Sequence, residues 1–201
     1  MGNRIGGVIL AGGRSSRMGD AHKMQVMLAG QPLLEHVIRR FKPQVDQLVI
    51  NVPVGFQGIE SPDCPVISDR VEGYQGPLMG LWSAMSSDEL ADADYIAVAP
   101  CDGPFLPLTL VHNLCQQIEG QKSEVAVIRY GKHIQPMFSL WHRRSMYTIA
   151  DELFVKKQGG FKPLLQAFNT VELIWPIEEI NPFFNINTPE DLVEAEALIC
   201  R

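Results

Sequence analysis

The 201-residue chain has few cysteines, no long apolar run and no block of like charge. Its four cysteines, Cys64, Cys101, Cys115 and Cys200, show no C-x-x-C spacing. That speaks against a zinc site or a disulfide framework and for reduced thiols in a cytoplasmic protein. No window approaches the roughly 20 apolar residues of a membrane span. The opening "MGNRIGGVIL" has the form of neither a signal peptide nor a myristoylation site, so no membrane partner is expected. A net charge of −6 argues against a general nucleic-acid binder. It leaves room for a nucleotide site, which needs only local positive charge. Also missing are a Walker A loop, a G-x-G-x-x-G fingerprint, internal repeats, low-complexity segments and any Ser–His–Asp or Cys–His arrangement.

What is present is alternation. Apolar residues make up 46% of the chain and charged residues 20%, enough for a sizeable core and one domain. Strand-like runs fall at Ile5–Leu10, Gln47–Val52, Pro65–Asp69 and Tyr95–Pro100. Helical periodicity falls at Pro32–Phe41, at Pro77–Met85 with Pro in its first turn, and at Pro107–Ile118, where Gly120 is the expected stop. Near Glu119–Glu124 the pattern turns β-rich: "EVAVIRY" and "IQPMFSLW" read as a hairpin around "GKH". Helices over Arg144–Phe154 and Lys162–Phe168, a strand "VELIW" and a last helix complete the chain. That last helix opens with Thr188, Pro189 and Asp191 as a T-x-x-D capping box. The pattern implies an α/β fold: a mostly parallel, Rossmann-like sheet with helices on both faces and a small β-rich subdomain. We expect a single domain over 1–201, with a nucleotide-binding part over about 1–119 and an acceptor-binding part over about 120–201.

Ligands of such sheets bind beyond the carboxyl ends of the strands. The first strand ends in "AGGRSSRMGDAHK" (residues 11–23). Gly12 and Gly13 leave backbone amides open to an anion, and Arg14, Arg17 and Lys23 add positive charge. A phosphate loop and a flexible turn with solvated cations both fit this composition. The strand Tyr95–Pro100 runs into "CDGP", which sets Asp102 at a carboxyl end of the sheet. A lone carboxylate there suits Mg²⁺, with phosphate oxygens and waters completing the octahedron, or it caps the next helix.

The larger pattern is more specific. Leu10–Gly13, Arg17–Gly19, Lys23, Gly30, Pro32 and Leu33 form one block. "YQGPLMGLWSAM" (Tyr74–Met85), "PCDGPFLP" (Pro100–Pro107) and "FFNINTPEDL" (Phe183–Leu192) follow in order. Together they resemble the small nucleotidyltransferases, and within them the molybdenum cofactor guanylyltransferases. The resemblance implies transfer of GMP from GTP to the phosphate of molybdopterin. It also implies Mg²⁺ as cofactor, a nucleotidyltransferase fold, and molybdoenzymes or their chaperones as recipients.

The resemblance assigns roles residue by residue. Lys23, Arg17 and Asp102 would be catalytic, with Asp102 the metal ligand and Arg17 steadying the pyrophosphate. Leu10, Ala11, Gly12, Gly13, Lys23, Asn51, Asp69, Gly76 and Asp102 would hold GTP. Asn185, Asn187 and Lys162 would hold the acceptor, near the hairpin residues His133, Gln135 and Pro136. Asn185 and Asn187, two apart on an expected strand, would face the same side. Asp20 and His22 depart from the family pattern, which commonly has Gly and Asp there. Trp82, Trp141 and Trp175 read as core.

Alternative readings are the same chemistry with another substrate and a nucleotide or cofactor carrier without catalysis. The first covers a molybdopterin cytidylyltransferase and a sugar-phosphate nucleotidyltransferase. Cytidylyl relatives usually read "LAAG" and "GDQP" where this chain reads "LAGG" and "PCDGP", which favours guanine. Retention of both Lys23 and Asp102 favours catalysis.

Overall fold

A computed structural model describes residues 2–12, 23–56, 58, 64–73 and 76–199. In chain order the main elements are β1 (Ile5–Leu10), β2 (Met27–Leu28), β3 (Gln31–Pro32), α1 (Leu33–Phe41), β4 (Gln47–Val52), β5 (Val66–Ser68), α2 (Pro77–Met85), β6 (Tyr95–Pro100), α3 (Leu110–Gln121), β7 (Val125–Tyr130), β8 (His133–His142), α4 (Met146–Phe154), α5 (Phe161–Leu164), β9 (Thr170–Trp175) and α6 (Pro189–Ile199).

One seven-stranded sheet, ordered β5-β4-β1-β6-β8-β7-β9, carries strands from both halves of the chain. The strands β5, β4, β1 and β6 are parallel, β8 runs against its neighbours, and β7 and β9 are parallel again. The carboxyl ends of all strands but β8 therefore point the same way. Alternation sorts the core into two layers. Ile9, Ile50 and Ala97 face α1 and α3, while Val8, Val49 and Val98 face α2, α4 and α5. The small hairpin β2–β3 turns through Ala29 and Gly30, both at positive φ. That pair of φ values defines a two-residue turn matched to strand twist, and it accounts for the glycine of the first motif block.

Several expected boundaries shift. The helix expected to stop at Gly120 runs through it, because Lys122 takes the left-handed capping conformation with φ 51° and ψ 38°. The helix expected over Lys162–Phe168 is one turn, Phe161–Leu164, followed by a 3₁₀ turn. The segment expected as a strand around Asn185 is irregular, tied to the site loop by Ile186 N donating to Asp102 O at 2.9 Å. The capping box of α6 forms: Asp191 Oδ2 accepts from Thr188 N at 2.9 Å, and Asp191 N donates to Thr188 Oγ1 at 3.2 Å. Trp141 and Trp175 are buried, and Trp82 packs edge-on against Phe154. No helix among the described residues is long and apolar enough to cross a membrane.

Candidate active site

At the carboxyl ends of β1, β4 and β6 lies a cleft of about 1030 Å³. Leu10, Gly12, Lys23, Asn51, Asp69, Gly76 and Asp102 all line it. Ala11 does not: its side chain is buried beneath, and its amide donates to Asn51 O at 2.8 Å, which ties the end of β1 to β4. Gly13 and Arg17, with Arg14, Asp20 and His22, lie outside the described residues.

Lys23 and Asp102, 79 positions apart in sequence, meet at the cleft floor. Lys23 Nζ donates to Asp102 Oδ2 at 2.8 Å, with side chains 16% and 12% exposed. The same ammonium donates to Asn187 Oδ1. Asn187 Nδ2 in turn donates to the carbonyl of Asn185 at 3.1 Å. The Asn185 side-chain oxygen is buried with no hydrogen-bond partner among the described residues. It lies against Gly103, where a Cβ would come within 3.2 Å of it. A buried amide oxygen without a donor suits a cation or a proton donor that arrives with ligand. Asp102, Asn185 and Asn187 thus supply hard oxygen donors, the set a Mg²⁺-type ion prefers. Next to them, burial and the Asp102 carboxylate push the Cys101 thiol far up. It stays protonated and is no nucleophile.

On the opposite wall Asn51 Nδ2 donates to Asp69 Oδ1 at 3.1 Å. Burial pushes the Asp69 carboxyl up and the Asn51 amide opposes that shift. The pair is held from behind by α2. Gly80 of that helix sits where a Cβ would collide with Asn51 Oδ1 and reach Leu10 Cδ2 at 2.7 Å. Arg70 N donates to Ser83 Oγ at 3.0 Å, fixing the chain just after Asp69 to the same helix. Gly76, at φ 145°, opens α2, and a Cβ there would strike the carbonyl of Gly159. Leu78 N donates to that carbonyl at 3.3 Å. The nucleotide side of the cleft is therefore braced by a loop from the second half of the chain.

Other parts of the cleft wall carried no signal in the sequence. Pro53–Phe56 forms an apolar lip after β4. Met137 enters because the β7–β8 ladder shifts register between Val127 and Ile128, at a bulge containing Pro136. Proline donates no ladder bond, so a bulge is where it fits. Lys162 lies elsewhere, on the wall of a second cavity shared with His133.

This fold and cleft define a nucleotidyltransferase-type α/β protein, and comparison with known proteins agrees. Residues 7–171 match the MobA-like NTP transferase domain. The chain is 37% identical over 198 residues to the molybdenum cofactor guanylyltransferase of Shewanella woodyi, covering 97% of each chain. It is 35% identical over 199 residues to that of Rhodopseudomonas palustris, covering 96% of this chain and 93% of the relative. The crystal structure of molybdopterin-guanine dinucleotide biosynthesis protein A from Archaeoglobus fulgidus shares the fold. Its TM-score is 0.74 at 23% identity, covering 97% of this chain and 98% of that one. The chain belongs to the molybdenum cofactor guanylyltransferase family, a family of nucleotidyltransferase enzymes. Membership sets aside the carrier reading.

Proposed function

We propose that the protein transfers GMP from GTP to the terminal phosphate of molybdopterin, giving molybdopterin guanine dinucleotide and pyrophosphate. The observation that carries this reading is the Lys23–Asp102 pair at the floor of a cleft whose far wall bears Asn51 and Asp69. In the step, an acceptor phosphate oxygen forms a bond to the α-phosphorus while the bond from that phosphorus to the bridging oxygen breaks. The bridging oxygen leaves with pyrophosphate. The nucleophile is already anionic, so no general base is required. The protein's task is to bring two polyanions together and align them.

Lys23 would exchange Asp102 for phosphate oxygens as the triphosphate enters, placing a cation where charge grows on the leaving group. Gly12 and Gly13 would turn backbone amides to the same tail, with Arg17 alongside. Asp102 would hold the metal, with Asn185 and Asn187 beside it. Bound there, Mg²⁺ supplies charge neutralisation and a template for phosphate oxygens. Asp69, oriented by Asn51, would accept from the N1 and N2 hydrogens of guanine. Adenine or cytosine would offer a single amino donor in place of guanine's adjacent N1–H and N2–H pair, leaving one oxygen of that half-buried carboxylate without its partner. The apolar lip and the Gly76 turn would close over the base. The chain works as one domain, its nucleotide part over about 1–119 and its acceptor part over about 120–201, in the cytoplasm. Finished cofactor would pass to molybdoenzymes or their chaperones.

The test is ligand-induced stabilisation. With Mg²⁺ present, GTP at about a hundred times its Kd stabilises by about 2.7 kcal/mol. For a chain of this size that raises the thermal midpoint by roughly 5–10 °C. ATP and CTP leave it nearly unchanged. A chain stabilised best by CTP is a cytidylyltransferase.

A further inference from the structure

The oxygen donors on the cleft floor are held by the backbone around them. Asn187 is fixed twice: its backbone N donates to Asp191 Oδ2 at 2.8 Å, and its Nδ2 donates to Asn185 O at 3.1 Å. That orientation leaves Asn187 Oδ1 to accept from the Lys23 ammonium. Asp102 is held through its own carbonyl, which accepts from Ile186 N at 2.9 Å. Lys23 is anchored at its backbone: its carbonyl accepts from Val26 N at 3.1 Å, and its neighbour Met24 is buried in the core. Beyond that anchor its side chain lines the cleft, a compact charge on a flexible four-carbon stem.

The ammonium therefore sits among oxygens that also suit a divalent ion. It takes Asp102 Oδ2 at 2.8 Å and Asn187 Oδ1. Asn185 Oδ1, against the neighbouring Gly103, has no hydrogen-bond partner among the described residues. A cation in this place offsets the cost of a largely buried carboxylate. A doubly charged ion cannot use the same oxygens at the same time, because like charges in contact repel strongly where water is largely excluded. The donors are rigid and the lysine is not, so the exchange of one cation for the other falls to the lysine side chain.

We propose that Lys23 plugs the metal site of the unliganded chain, and that the arriving triphosphate unmasks the site by drawing the ammonium onto its own oxygens. This rests on the reading of Asp102 as metal ligand and of the cleft as the GTP site. The floor competent to bind an ion is then a minor fraction of the free chain, and apparent affinity for the ion falls by that fraction. Nucleotide removes the penalty. By linkage, the ion strengthens nucleotide binding by the same factor. The free chain thus carries little metal, and ion and nucleotide enter together.

The test measures Mn²⁺ binding by electron paramagnetic resonance, without any turnover. Wild type and Lys23→Met are titrated with Mn²⁺ alone, and Lys23→Met binds it at least about tenfold more tightly. Adding Asp102→Asn to Lys23→Met abolishes that gain. A second measurement needs no variant: wild type is treated with acetic anhydride, and acetylation of Lys23 is read by peptide mass spectrometry. Saturating Mg²⁺ without nucleotide raises Lys23 acetylation, because the displaced ammonium stands in solvent; simple repulsion at a distance would not. Equal Mn²⁺ affinity in wild type and Lys23→Met, or Lys23 acetylation unmoved by Mg²⁺, overturns the plug. A gain that survives Asp102→Asn puts the ion elsewhere and overturns the plug together with the metal site. The transferase reading is checked apart from these, with a GTP analogue bearing a methylene between its α- and β-phosphorus. Wild type that fails to bind this analogue with Mn²⁺ overturns the GTP site, whatever Lys23 does with the ion alone.

Discussion

Replacing Asp102 with alanine lowers guanylyl transfer by about three orders of magnitude while the fold persists; Lys23→Ala does the same. The size follows from what each group does. Removing one preorganised electrostatic contact to developing charge typically costs about 10²–10³ in rate. Asp102 is also the carboxylate of the donor set for the metal. The two substitutions are not independent, because Lys23 and Asp102 hold each other at 2.8 Å. The double variant is expected to lose little more than either single one, as for residues that act as a unit. Asp102→Asn separates charge from shape, since its amide oxygen still accepts from Lys23 yet binds a divalent ion weakly. Rates near wild type in both alanine variants, measured by release of pyrophosphate, would remove the mechanism.

Gly80→Ala destabilises the protein, against what helix propensity alone predicts. In an open helix the change from glycine to alanine stabilises by about 1 kcal/mol. Here the added methyl meets Asn51 Oδ1 and Leu10 Cδ2, and overpacking of a filled site costs about 1–3 kcal/mol. The packing term wins, so chemical denaturation should show a net loss of up to about 2 kcal/mol. Because the atom that must yield belongs to Asn51, Asp69 loses its orienting donor and KM for GTP rises with it. A variant that gains stability and keeps its KM would show that α2 does not hold the base-reading pair.

Much of this was legible before the fold. The strands β1, β4 and β6 and the helix α2 form with the expected ends, because each is a dense apolar run bounded by glycine, proline or polar residues. Leu10, Gly12, Lys23, Asn51, Asp69, Gly76 and Asp102, which the resemblance grouped as nucleotide residues, line one cleft, Asn51 and Asp69 from outside the motif blocks. What escaped depends on tertiary geometry. Asn187 meets Lys23 and Asn185 lies against Gly103 without sharing a strand, since Ile186 is fixed by the Asp102 carbonyl rather than by a ladder. Met137 reaches the cleft through a bulge. Lys162, grouped with the acceptor phosphate by resemblance, stands in the second cavity, because the one-turn α5 packs over β8. Gly120 lost the helix stop to Lys122, whose amide donates to the Glu119 and Ile118 carbonyls.

Pyrophosphate release, followed with GTP, ATP, CTP and UTP in turn, each with and without molybdopterin, is the most direct test of the chemistry assigned to the cleft. Release with GTP that depends on both molybdopterin and a divalent ion, at least about a hundredfold above the other nucleotides, is the expected result. Equal release from all four, or release that ignores the pterin, would contradict it.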